Sequence, residues 1–429
     1  MKILRFDAPD FAGQLRSLQR SSEPDPNVEK TVRAVLQAIR AEGDEALIRF
    51  TKKFGGPTLS GGDLLVCGKP KVDARVKEAI ATSHANVLAF SRRSLRENWT
   101  MKNAQGALVG ERFDPFERVG VYVPGGTAPL VSTAIMTCTL AQAAGCPQIA
   151  VTTPSGPDGR INDALHHALL LAGATEIYRV GGAQAIGALA YGTDTIRPVQ
   201  KIFGPGNAYV VEAKRQVVGR VAIDLLPGPS EILILADSTA NPAWIASDLL
   251  AQAEHGKGSQ MILVTNSAKL LAAVEKQVAE QIASLTRQEH LAGVLEHGAV
   301  LVLVRSLKDA TMIANDYAPE HLSIVAKDEL KIAHAVRTAG AIFLGGYSPV
   351  AAGDFLAGPS HTLPTGGAGR SFPGLTVDMF QRRTSFVRLD ERSLKKSVGT
   401  IETFSAVEGL DAHGRSASIR FRDKAKWSA

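Results

Sequence analysis

From residue 118 onward, short runs rich in β-branched and aliphatic residues alternate with longer stretches of helical period. "VGVYVPGG" precedes "LVSTAIMTCTLAQAAG", and "QIAVTTPSG" precedes "INDALHHALLLAGA". The alternation continues through "EIYRVGG", "AQAIGALAYG", "VQKIFGPG", "NAYVVEAKRQV" and "SEILILAD". Such a rhythm predicts parallel βα units. A second series, with strands "QMILVT", "AVLVLV", "LSIVA" and "AIFLGG", predicts another α/β layer. Residues 28 to 100 read as mostly helical and are expected to cover that second layer, because a parallel sheet needs both faces buried. After "SFPGLTVDMFQRR" the pattern gives way to short helices and loops. The expected class is α/β, with two Rossmann-like parallel domains and a small C-terminal helical appendage. The expected divisions are a helical part (1–117) packing with the second layer, a first α/β domain (118–236), a second (237–375) and a tail (376–429).

One helix breaks its own pattern. In "LLAQAEHGKG", residues 249 to 258, Gln252 continues the stripe of Ile245 and Leu249, and His255 lies one turn further on. Asn241 and Pro242 suit the helix start and Gly256 its end. A polar pair on a buried face is either hydrogen-bonded within the core or half of a metal site. Both readings stand at this point.

In open α/β sheets ligands gather at the carboxyl ends of strands, and here those ends carry "VPGGTAP", "VGGAQA" and "FGPGNA". Glycine at a helix start lets backbone amides approach a phosphate, but it is also the usual residue of tight turns. None of the three turns is GxGxxG. Loops of the second layer hold further chemistry: Glu320 and His321 in "APEHL", Asp354 and His361 in "AAGDFLAGPSHTLPTGGAG", and acids with a histidine in "AVEGLDAHG". Each alone could be a solvated loop end, a turn cap or a packed ring. Separated loops that all offer metal-ligand or acid-base groups, in a chain with ten histidines, argue together for a site. Histidine, aspartate and glutamine without cysteine suit zinc or manganese in an open, working site.

Bulk properties trim the alternatives. With 429 residues the chain is long enough for two or three cores. Its +6 formal charge is scattered, with no basic tract beyond pairs such as Arg382-Arg383, so nucleic acid is not an expected partner. No segment has the length and apolarity of a membrane span, and the start lacks the apolar core of a signal peptide. Cys67, Cys138 and Cys146 form no CxxC, which favours a reducing, cytoplasmic compartment. Cys138 and Cys146 read as small hydrophobes in or at the end of an apolar helix.

Taken in order, "GPSEI", "DLLAQAEHG", "APEHL", "GPSHTLPTGGAGR" and "EGLDAHGRSASIR" closely resemble histidinol dehydrogenases. The resemblance implies a zinc-dependent homodimer that oxidises L-histidinol through L-histidinaldehyde to L-histidine with two NAD, ending histidine biosynthesis. It implies Gln252, His255, Asp354 and His413 as zinc ligands and Glu320 and His321 as acid-base residues. Ser230, His361 and Glu408 would contact substrate, together with His321 and the zinc ligands. Tyr122, Gln184 and Asn207 would contact NAD. It also implies that the tail is exchanged between protomers, so that Glu408 and His413 reach the partner's site. One departure is visible: Pro227 stands before Gly228, where the family has a small alanine. A zinc hydrolase, or a zinc dehydrogenase of another amino alcohol, is the alternative.

Overall fold

The computed structural model describes residues 1–18, 20, 25–125 and 129–422. The chain divides into two compact units: residues 1–94 with 116–380, and residues 95–115 with 381–429.

The larger unit holds two parallel sheets. The chain opens with β1 (Lys2–Arg5) and the helices Pro26–Glu42, Asp44–Lys53 and Ala74–Arg93. The smaller unit takes β2 (Trp99–Lys102) and β3 (Leu108–Pro115). Back in the larger unit, β4 (Arg118–Tyr122), β5 (Gln148–Thr152), β6 (Glu176–Tyr178), β7 (Lys201–Phe203) and β8 (Ala222–Ile223) form a sheet in the order β6-β5-β4-β7-β8. Next come β9 (Glu231–Ala236), β10 (Gln260–Thr265), β11 (Ala299–Leu303), β12 (His321–Val325) and β13 (Ala341–Leu344). These pair as β1-β11-β10-β9-β12-β13. Counted from its own first long strand, each sheet runs 3-2-1-4-5, the doubly wound order, and the strand direction of travel reverses beside β4 and beside β9. All residues of β4, β9 and β11 are buried, as central parallel strands require.

Three expectations need correction. "SEILILAD" does not close the first domain: β9 is the central strand of the second sheet, with β10 and β12 as parallel neighbours. An apolar run bounded by turns shows that a strand is buried but not which sheet it joins. The helices Pro26–Glu42 and Asp44–Lys53 cover the first sheet, not the second, while β1 joins the second sheet and Phe11, Leu15 and Leu18 pack on its core. Val32, Val35, Leu36 and Ile39 share a core with the helix Gly182–Tyr191. That helix buries every residue from Ala183 to Ala190 and therefore needs cover on its outer side. At Gly187 a Cβ would lie 3.0 Å from Leu36 Cδ2, so the missing side chain permits the close approach. The tail, finally, is not wholly helical. In the smaller unit β14 (Gln381–Arg388) pairs antiparallel with β3, whose other edge pairs with β2. Helices Glu391–Glu408 and Asp411–Arg422 follow and pack on each other.

Candidate active site

The amino ends of β9 and β12 lie side by side, with His321 opposite Ile232. Just before them the backbone is specialised. The helix Leu307–Tyr317 ends at Ala318, whose φ of 50° is the one left-handed value at a non-glycine among the described residues. Pro319 then directs the chain so that Glu320 and His321 enter β12 buried. Both are held by the start of β9. Glu320 Oε2 accepts from Ser230 Oγ at 2.6 Å and from the Glu231 amide at 2.8 Å. His321 Nδ1 lies 3.0 Å from the Glu231 carbonyl. A carbonyl only accepts, so Nδ1 carries the proton and Nε2 keeps a lone pair. That Nε2 is buried with no hydrogen-bond partner, 3.8 Å from Asp354 Oδ1.

Burial sets the protonation of the pair. It pushes the Glu320 carboxyl up to about 8, against the two hydrogen bonds, which favour the anion. It lowers His321, although Asp354 and the Glu231 carbonyl pull the other way. Near neutral pH the site therefore holds a neutral imidazole beside a carboxyl close to its titration point, a pairing suited to general acid-base work.

Around this pair stand the residues of the candidate metal set. The helix Pro242–Ala253 is capped by Asn241, whose Oδ1 accepts from the Ala243 amide at 2.9 Å, with Pro242 in the first turn. It ends one residue short of Glu254, earlier than its sequence pattern predicts, so His255 lies in the turn that Gly256 closes at φ 100°. Gln252 is 2% exposed and its Nε2 has no partner. His255 keeps exposed surface, yet crowding by the protein and then the nearby His321 lower its pKa. Burial raises Asp354, against the pull of His321. Burial pushes His361 down to about 4, with His321 and His255 adding to it, and its Nε2 lies 3.4 Å from Thr133 Oγ1. The larger unit thus gathers Ser230, His255, Glu320, His321, Asp354 and His361 in one electrostatically connected region, with Gln252 one helical turn before His255. Glu408 and His413 belong to the smaller unit, and both are exposed there. Among the described residues no three His, Cys, Asp or Glu side chains are close enough to hold a metal.

A second region lies at the carboxyl ends of the first sheet. A cavity of about 460 Å³ is lined by Pro154, Ser155, Gly181, Gly182, Gln184 and Asn207, together with Val35, Phe54 and Pro57 from the N-terminal helices and the loop after them. Its volume is that of a small-molecule site. The Tyr122 hydroxyl accepts from the Gly182 amide at 3.2 Å. Gln184 is 3% exposed, with its Oε1 unpartnered. Asn207 Oδ1 caps the helix Ala208–Val217 by accepting from the Tyr209 and Val210 amides, both at 3.1 Å. Residues 126–128 of the turn "VPGGTAP" lie outside the described residues. The wall from Val35 to Pro57 was not legible in the sequence, because those helices were expected on the other layer.

Two more groups escaped the sequence reading. Glu231 is buried, and burial pushes it up to about 7; it pairs with Arg20 and accepts from the Gly366 amide at 2.8 Å. An acid opening the apolar run "EILILA" was the available signal. The other is the buried pair Lys214 and Asp224. Cys138 and Cys146 are buried free thiols, pushed by burial to about 12, and so too poorly ionised for nucleophilic work. Cys67 is free and exposed. Pro227 is buried, and the amide of Gly228 after it donates to Thr365 Oγ1, which ties this approach to the loop after His361.

A doubly wound α/β chain with a buried carboxyl-imidazole pair and a separate glycine-lined cavity has the makings of an enzyme that moves protons. Its relatives specify the kind. The sequence matches the histidinol dehydrogenase family over residues 18–421. The histidinol dehydrogenase of Syntrophotalea carbinolica is 40% identical over 99% of this chain and 100% of its own length. That of Geobacillus kaustophilus is 43% identical over 94% and 96%. The crystal structure of histidinol dehydrogenase from Elizabethkingia anophelis superposes with a TM-score of 0.93 at 34% identity, covering 98% of each chain. The chain belongs to the histidinol dehydrogenase family. It is an oxidoreductase, and its activity implies a place in histidine biosynthesis. Among the described residues no helix is long and apolar enough to cross a membrane.

Proposed function

We propose that the protein oxidises L-histidinol through L-histidinaldehyde to L-histidine in two NAD-linked steps at a zinc site, in the cytoplasm. The observation that carries this reading is the His321 ring: it is fixed through Nδ1, bare at Nε2, and flanked by Glu320 and Asp354.

Gln252, His255 and Asp354, with His413, would hold the zinc. The donor chemistry fits: the carbonyl oxygen of the buried Gln252 amide, an imidazole whose lowered pKa leaves a ring nitrogen free to ligate, and a part-exposed carboxyl. The metal, when bound, supplies a Lewis-acidic anchor for the amine and imidazole nitrogens of the substrate. NAD, when bound beside Tyr122, Gln184 and Asn207, receives the hydride of each step. The remaining work belongs to the chain. His321 Nε2 takes the hydroxyl proton of the alcohol as hydride leaves its carbon. Glu320 takes a proton from the water that adds to the aldehyde, and His321 takes the hydroxyl proton of the resulting hydrate as the second hydride leaves. Ser230 holds Glu320, and with His361 and Glu408 it contacts substrate. The tail of residues 376–429 is exchanged between two identical chains, so that Glu408 and His413 complete the partner's site.

The test is NADH formation by zinc-loaded protein with L-histidinol and with a series of other amino alcohols. Preference for histidinol supports the reading; equal rates across the series would assign the site to amino alcohols in general. No NADH from any alcohol would instead point to a zinc hydrolase, since a carboxyl beside a metal can also activate water for bond cleavage.

A further inference from the structure

We propose that Lys214 and Asp224 are positioning residues of the cofactor site: their buried ion pair fixes the turn at residues 204–207 against Tyr122, so that the adjoining cavity can take NAD. The inference rests on the reading of that cavity as the NAD site. Both side chains are 0% exposed. An ammonium has three donors and no acceptor, and Lys214 Nζ meets three acceptors: Asp224 Oδ1, the Gly204 carbonyl at 2.8 Å and the Leu225 carbonyl at 2.9 Å. The other Asp224 oxygen accepts from the Gly204 amide at 2.7 Å. Both backbone polar groups of Gly204 are therefore held by the pair.

Gly204 is where the turn has no freedom. Its φ is +109°, and a Cβ there would lie 2.1 Å from the Tyr122 carbonyl oxygen. The glycine backbone thus rests on the residue whose hydroxyl meets Gly182, and three positions later Asn207 opens its helix at the cavity. The third lysine bond, to Leu225, fixes the start of the segment that runs to Ser230. A buried ion pair is a poor device for stability alone, because desolvation offsets much of the attraction and two apolar side chains serve as well. What apolar side chains lack is directed bonds to the amide and carbonyl of one turn residue.

The double variant Lys214→Met/Asp224→Leu keeps the core filled and removes those bonds. Full-length, zinc-loaded protein is titrated with NADH by fluorescence and assayed over a range of NAD. The Kd for NADH and the KM for NAD are expected to rise at least about tenfold, with kcat at saturating NAD held within about threefold and zinc content unchanged. A merely structural role would lower the Tm and the active fraction without moving either constant. A folded double variant that binds NADH within about twofold of wild type overturns the proposal. If the double variant does not fold, Asp224→Asn is read by the same thresholds. Gln184→Ala separates the two layers of inference. Weakened binding in Gln184→Ala with a normal double variant refutes the ion-pair role alone, while unweakened binding in Gln184→Ala removes the cavity as the NAD site and the proposal with it.

Discussion

Replacing Ser230 with alanine removes one of the two hydrogen bonds on Glu320 Oε2 and leaves the Glu231 amide. A hydrogen bond to a charged group contributes about 1.5–3 kcal/mol, and one pKa unit corresponds to about 1.4 kcal/mol. The Glu320 pKa, already pushed by burial to about 8, should therefore rise by about one to two units in Ser230→Ala. In the proposed chemistry this carboxylate is the base for water addition to the aldehyde. The assay is kcat/KM for histidinaldehyde between about pH 6 and 10 at fixed NAD, with zinc-loaded protein. Its acid limb should move to higher pH by that one to two units, so that near neutral pH the rate falls about tenfold or more. The size of the displacement, rather than its starting point, is the tested quantity. A limb that stays in place in folded, zinc-replete Ser230→Ala would show that the group titrating there is not the carboxyl that Ser230 holds, and would remove Glu320 as the base.

The two half-reactions should separate: Glu320→Gln damages aldehyde oxidation far more than alcohol oxidation and His321→Asn damages the alcohol step, and equal losses on both substrates in Glu320→Gln would contradict the division. His255→Ala and His413→Ala chains should each lose zinc and activity, by metal analysis and assay, without unfolding by circular dichroism. If tails are exchanged, a refolded mixture of the two chains should recover roughly a quarter of wild-type activity, whereas mixed dimers with no recovery would refute the exchange. Chelator-treated protein should lose stability as pH rises. Glu320 and Glu231, raised to about 8 and about 7, keep their protons in the folded state after the unfolded chain has released them above the usual 4.5. The lowered histidines act oppositely, but only below their ordinary 6.5. Between about pH 6.5 and 8 the Tm should therefore fall, and fall less steeply in Glu320→Gln; a parallel slope in that variant would contradict the assignment.

Much of this architecture was legible because parallel strands buried on both faces leave continuous apolar runs, as in "EILILA" and "AVLVL". Partnership between strands is another matter. β9 is as apolar as its neighbours, and only the crossover topology places it between β10 and β12. The helix "GAQAIGALAY" carried a signal in its lack of any polar face, which called for cover from the N-terminal helices. β14 was illegible for the opposite reason: "QRRTSFVR" is largely exposed and polar, so its period of two carries little contrast. At the site, the Gln252–His255 spacing could be read directly because a helix fixes neighbours three residues apart. The junction of Ser230, Glu231, Glu320 and His321 could not, since it joins residues about ninety positions apart through strand pairing. Lys214 and Asp224, both with fully buried side chains, carry no mark in the sequence that separates them from surface charges.

In the proposed reaction one site performs both oxidations on one substrate. This is tested most directly by letting a limiting, weighed amount of L-histidinol react to completion with excess NAD on zinc-loaded protein, reading NADH by absorbance and identifying the product. Two NADH are expected for each histidinol consumed, with L-histidine as the product. One NADH per histidinol, with the aldehyde accumulating, would contradict this.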